Sequence, residues 1–261
     1  MIDRVVELRN VSKSFGLRDA LSNVNFELQR GDFTGLVGRN GAGKTTAIRI
    51  MAGVLQATSG EVKVLGQNMD PENAQVKARL GYVPSECQLF EHLTGRENLL
   101  FTAAAYRLDQ KEAIRRGAEL FDLLELGPDQ HKRVHAYSFG MKKKASLACA
   151  LLHNPDVVFL DEPVEGLDVM TSRAVKELFR FLRRNGKTIL LTSHNFDLIE
   201  DLCDRVAIID QGQLLFDGTA ALLKEEADLP DTARLEDAFA ARFAGAGRSA
   251  QLSWVGSGSG E

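Results

Sequence analysis

Eight residues from Gly38 to Thr45, GRNGAGKT, satisfy the spacing Gly-x4-Gly-Lys-Thr. Glycines at such positions let successive backbone N–H groups curve around phosphate oxygens with no Cβ in the way. A helix that follows the loop turns its positive end toward the same anion. Here the apolar run FTGLVG precedes the motif and the helical stretch KTTAIRIMAGVL follows it, which is the strand–loop–helix context the chemistry requires. Gly38, Arg39, Asn40, Gly41, Ala42 and Gly43 form the expected cradle and Thr46 continues it. Lys44 can reach the β- and γ-phosphates, and the Thr45 hydroxyl can ligate magnesium.

A second centre lies at VVFLDE, Val157 to Glu162, an apolar strand that ends in two carboxylates. One acid at a strand end is often only a solvated terminus. Two at the carboxyl edge of a parallel strand lie where α/β sheets bind ligands. Asp161 is expected to hold magnesium through its water shell, and Glu162 to orient and polarise an attacking water.

The elements that must position these groups show in the periodicity. VVELRNV, VNFELQ, GEVKVLG, RLGYVP, KTILLTS and RVAIID have strand character, and RVAIID pairs with QLLFDG in a hairpin around Gln211-Gly212. From about Leu93 to His153 the pattern changes to helical stretches, GRENLLFTAAAYRL, KEAIRRGAELFDLLEL and SFGMKKKASLACALL. SRAVKELFRFLRRN is a further helix, ended by Gly186. The pattern is α/β with a helical insertion. The segment 244–261, small and polar with GSGSG near its end, is set outside the fold as a flexible tail or linker remnant.

The 261 residues, 44% apolar, can build a proper core, which excludes a disordered class. A net charge of -4 gives no field to attract nucleic acid, so none is expected as a partner. Cys87, Cys149 and Cys203 form no Cys-x-x-Cys pair, arguing against disulfides and zinc and for a reducing compartment. No apolar run reaches the roughly 18 residues of a membrane span, so a membrane role needs a second chain.

These two centres and four further segments, in order, resemble the ATP-binding subunits of ABC transporters from Val5 to about Phe243. YSFGMKKKASLACALL is similar to the family's signature helix, EGLD (Glu165–Asp168) to its D-loop, TSH ending at His194 to its switch histidine, and Phe15 to the aromatic that stacks on adenine. The resemblance implies a P-loop NTPase core of the ABC type, with an antiparallel β subdomain and a helical subdomain inserted at about 86–154, in one domain over 1–243. It implies ATP and Mg2+ as cofactors, with Glu162, His194 and Lys44 as the catalytic set. Ser138 and Gly140 would close on the ATP of a second subunit, identical or a close paralogue, with Asp168 at the interface. It also implies an integral membrane permease as partner and a peripheral place on the cytoplasmic face of the cell membrane. Met141 and LEDAF (Leu235–Phe239) resemble the branch of antibiotic, lipid and sodium exporters.

Single residues keep plainer readings. Phe15 reads equally as a core aromatic, Asp168 as a helix N-cap and His194 as a structural histidine. The basic run Lys142–Lys144 could meet anionic headgroups, although a solvated helix face is simpler. Two positions depart from the family. Phe139 replaces a signature glycine, so its ring must point away for the site to close. Ser85 stands where a magnesium-contacting glutamine is usual, leaving either a water or Glu86 to fill the gap. A soluble ATPase acting on ribosomes or DNA, and a weakly hydrolysing ATP-gated clamp, are the alternative functions.

Overall fold

The structure, a computed structural model, describes residues 4–243, so the tail expected at 244–261 lies outside the described residues. β1 (Arg4–Phe15) and β2 (Arg18–Gln29) form a long hairpin. β3 (Phe33–Val37) runs into α1 (Lys44–Met51), and β4 (Ser59–Val64) and β5 (Gln67–Asn68) complete an antiparallel sheet of order β2-β1-β4-β5. The short α2 (Ala74–Lys77) precedes β6 (Leu80–Val83). Then come α3 (Gly95–Ala105), α4 (Gln110–Leu123) and α5 (Phe139–Leu151), with no named strand between them. β7 (Val157–Asp161), α6 (Val169–Arg184), β8 (Thr188–Ser193), α7 (Phe196–Leu202), β9 (Arg205–Asp210), β10 (Gln213–Gly218), α8 (Ala220–Glu226) and α9 (Leu235–Phe243) follow.

The second sheet has the order β10-β9-β3-β8-β7-β6, parallel except for β10. Every residue of β3, β7 and β8 is buried, as expected of parallel strands covered on both faces. β7 divides its side chains between two cores. Val157 and Phe159 join α1 and the antiparallel sheet, while Val158 and Leu160 face the helices on the other side. No helix among the described residues is long and apolar enough to cross a membrane. All three cysteines are free, and burial pushes the Cys149 thiol up to about 11.

The sequence pattern shortens β1 and β2, because residues 12–15 and 18–23 are mostly polar and bury only Leu21, so they carry no apolar alternation. It overextends α1, which ends at Met51 because Gly53 takes a left-handed φ of 66°. The basic run is not a solvated face. Lys143 is 1% exposed and Lys144 7%, because this side of α5 packs inward.

The seam between α5 and β6 depends on Gly81, where a Cβ would lie 2.6 Å from the Ala150 carbonyl oxygen and 3.0 Å from the Pro155 ring. Gly81→Ala should therefore lower the unfolding free energy by about 1–3 kcal/mol, the usual cost of overpacking. A urea midpoint equal to wild type would show that the seam widens freely.

Candidate functional site

The strand order β3-β8-β7-β6 brings four loops to one edge. Val37 is level with Ser193, Asp161 with Thr192, and Leu160 with Val83. The phosphate loop after β3, His194 after β8, Glu162 after β7 and Ser85 after β6 therefore leave the sheet at its carboxyl edge. The sequence names all four, and the parallel register makes them neighbours.

The phosphate loop bends at Gly41 and Gly43, with φ of 82° and 113°. Gly43 caps α1 without a side chain, so the first N–H groups of the helix face the loop's concavity. Its floor comes from far along the chain. A Cβ on Gly38 would meet the Ile209 carbonyl oxygen at 2.2 Å, and the Gly212 N–H donates to the Ala42 carbonyl at 2.9 Å. Lys44, 5% exposed, donates through Nζ to the Gly38 carbonyl at 2.7 Å and lies 3.5 Å from Glu162 Oε1.

Asp161 has no exposed surface. Its Oδ1 accepts from Thr192 Oγ1 at 2.6 Å and from Thr45 Oγ1 at 3.2 Å. Oδ2 is buried with no hydrogen-bond partner. A buried carboxylate with one unsatisfied oxygen beside a threonine hydroxyl fits the hard oxygen-donor set of magnesium.

Glu162 takes a left-handed backbone with φ of 47°, a conformation that costs about 1–3 kcal/mol outside glycine. Thr192 offsets that cost, since its Oγ1 accepts from the Glu162 N–H at 3.1 Å. One threonine hydroxyl thus joins the two carboxylate residues. Glu162 is 9% exposed, and its Oε1 sits 3.3 Å from His194 Nδ1.

Lys44, Thr45 and Glu162 line a cavity of about 610 Å³ that also takes in Phe15, Arg18, Thr46, Ser85 and Glu165, whereas Asp161 and His194 reach it only through their contacts with Thr45 and Glu162. Phe15 is half-exposed at the cavity rim rather than buried in a core. Glu86 is exposed and does not line the cavity. No motif in the sequence singles out Thr192 or Arg18. Thr192 stands two residues before His194 in the same TSH segment, and Arg18 enters because β2 starts beside the loop, with its guanidinium 3.6 Å from a Cβ built on Gly41.

Ser138 and Gly140 do not line this cavity. Ser138 caps α5, its hydroxyl accepting from the Met141 N–H at 3.2 Å, and is exposed. The Phe139 ring folds back onto the chain's own Gly166, where a Cβ would meet it at 2.9 Å. Asp168 caps α6, accepting from the Met170 and Thr171 N–H groups at 3.0 Å, and these backbone donors hold its carboxyl below the usual range.

A protein-family model described as ABC transporter matches residues 21–165. The linearmycin resistance ATP-binding protein LnrL of Bacillus subtilis (strain 168) is 35% identical over 215 residues, 82% of this chain and 69% of that protein. A solved ATP-binding subunit of an ABC transporter matches with a TM-score of 0.83 at 29% identity, covering 90% of this chain and 98% of the other. The dimeric post-hydrolysis state of the ATP-binding cassette MJ0796, bound to ADP and Pi, matches with a TM-score of 0.76 at 25% identity, over 82% of this chain and 98% of the other.

The Thr192 hydroxyl gives a test of the site's internal wiring. Thr192→Val keeps the shape but strips the shorter of two donors from Asp161 and leaves the Glu162 N–H only the Thr192 carbonyl at 3.2 Å, which should cost about 1–3 kcal/mol, chiefly the hydrogen bond lost to a buried carboxylate. Chemical denaturation measures it, and an unchanged stability would mean the hydroxyl is dispensable.

Proposed function

The chain belongs to the ABC transporter family as an ATP-binding subunit and ATPase, and from that premise we propose that two such cassettes close on ATP beneath a separate membrane-spanning permease to drive export. The observation that carries this reading is the meeting of Lys44, Thr45, Asp161, Glu162 and His194 at one sheet edge while Ser138 and Gly140 stay outside the lining of the cavity there. The second half of the nucleotide site then comes from another cassette, whose α5 N-terminus aims its free N–H groups and dipole at the γ-phosphate. The dimeric arrangement of MJ0796 supports such a pairing.

Within this reading the phosphate loop and Lys44 bind the phosphates and Phe15 stacks on the base. Thr45 and Asp161 are the residues that would hold magnesium, Asp161 by way of water, and the metal would supply neutralisation of phosphate charge. Glu162 orients and polarises the attacking water, and His194 senses the γ-phosphate. Glu86 is exposed and outside the cavity lining, which supports water, rather than Glu86, as the filler beside Ser85. Asp168 serves the D-loop as well as the helix it caps. Residues 86–154 act as the unit that carries the signature, and the permease contacts it at the cytoplasmic face of the membrane. Resistance to linearmycin, named for LnrL, supports an antibiotic-like cargo and outward transport.

Glu162→Gln should retain ATP binding, lose roughly 10²- to 10⁴-fold of hydrolysis as expected for a lost acid–base group, and accumulate an ATP-bound dimer. Wild-type turnover in that variant would remove Glu162 from the role.

A shared site also predicts that specific activity rises with protein concentration when the chain is studied alone. Lys44→Ala and Ser138→Arg proteins, mixed, should regain at most one intact site per mixed dimer. Activity per subunit that stays flat on dilution through the dimer's dissociation range would sink the composite site. Glu86→Ala should leave turnover within about a few-fold of wild type across magnesium concentrations, because metal binding draws on other oxygens; a raised magnesium requirement would reinstate Glu86 as a ligand.

A further inference from the structure

Three consecutive lysines on α5 meet three different fates. Lys142 pairs with Glu91 at 2.5 Å and Lys144 with Glu125 at 3.3 Å. Lys143, the most buried of the three, has no carboxylate within ion-pair distance among the described residues. Its Nζ donates instead to two backbone carbonyls, that of Ser85 at 2.6 Å and that of Glu162 at 3.2 Å. The Phe139 ring closes over the ammonium, 5.7 Å from its centroid.

A buried cation whose only hydrogen-bond acceptors are carbonyls is a poor device for stability, since the cost of taking the charge out of water offsets much of what those bonds return. Its geometry is informative in another way. The two acceptors belong to the loop after β6 and to the first residue after β7, and the donor belongs to the helix that Ser138 begins. The Glu162 carbonyl is the far end of the residue held at φ 47°, so fixing it fixes where the carboxylate aims.

We propose that Lys143 is a positioning residue for Glu162, clamping the Ser85 and Glu162 carbonyls so that the aim of the carboxylate depends on how α5 is seated. The inference rests on Glu162 as the residue that acts on water. When a second cassette's nucleotide engages the N-terminus of α5, the same helix carries the clamp on its own Glu162. Each nucleotide thereby sets the carboxylate that serves the other.

The test compares Lys143→Met and Lys143→Gln with wild type in the purified full chain. Lys143→Met should still fold, with a melting temperature within about 5 °C of wild type because relief of the lysine's own burial offsets the donor the two carbonyls lose, bind a fluorescent ATP analogue and keep KM for ATP within about twofold, yet lose roughly 10- to 100-fold in kcat, as expected for a misplaced catalytic group. Lys143→Gln, which keeps a donor, should fall between. In a Glu162→Gln background, adding Lys143→Met should change single-turnover hydrolysis by less than about twofold, because the group it positions is already disabled. Wild-type kcat in Lys143→Met would overturn the proposal. So would an equal loss in both backgrounds, or failure of both variants to fold, which would make Lys143 purely structural. If Glu162→Gln alone hydrolyses normally, the assignment of Glu162 fails first, and the two failures are thus told apart.

Discussion

Asp161 is sealed from solvent at the end of a strand with no exposed residue, and its negative charge has to be met from inside the protein. That requirement sets the arrangement around it. Thr192 must come level with it from β8, and Thr45 must come from the first turn of α1, so both neighbours are fixed in register and in depth. One oxygen remains without a partner, and a cation is the species that such an oxygen suits. The placement of the phosphate loop, of β8 and of the loop after β6 can be read as the geometry needed to hold one buried carboxylate with a single oxygen left for a cation.

Glu162 is the complement of that arrangement. It is one residue further on, just beyond the ladder, and it leaves the strand through a strained turn. The strain turns the carboxylate toward Lys44 and His194. Rigid groups surround a residue that would relax if any of them gave way, and they come from β8, α1 and α5. Catalytic positioning is in this sense distributed over the fold, although the chemistry rests on a few oxygens.

Much of this is legible from residue types. GRNGAGKT, VVFLDE and TSH carry their chemistry in sequence order, and the parallel strands announce themselves as continuous apolar runs. Contacts decided by register or by helix phase are not legible. Thr192 is an ordinary strand threonine until β7 and β8 are aligned, Arg18 lies in a segment with no periodic signal, and three lysines in a row look solvated until α5 is rotated into place. Phe139 belongs to the same class. That its ring must avoid the phosphate follows from the resemblance to the family's signature, but that it folds onto Gly166 depends on the turn after Glu162.

The floor beneath the phosphate loop has a consequence for synthesis on the ribosome. Gly38 rests on the backbone of β9, and Ala42 is tied to the turn before β10. A nascent chain that has emerged only through α5 carries every residue of the phosphate loop but lacks the surface against which that loop is moulded. Nucleotide cannot be captured in its final geometry until β9 and β10 have left the exit tunnel and closed the sheet edge. Ligand-dependent protection of the growing chain against proteolysis should therefore begin late and abruptly, at the length that completes this hairpin.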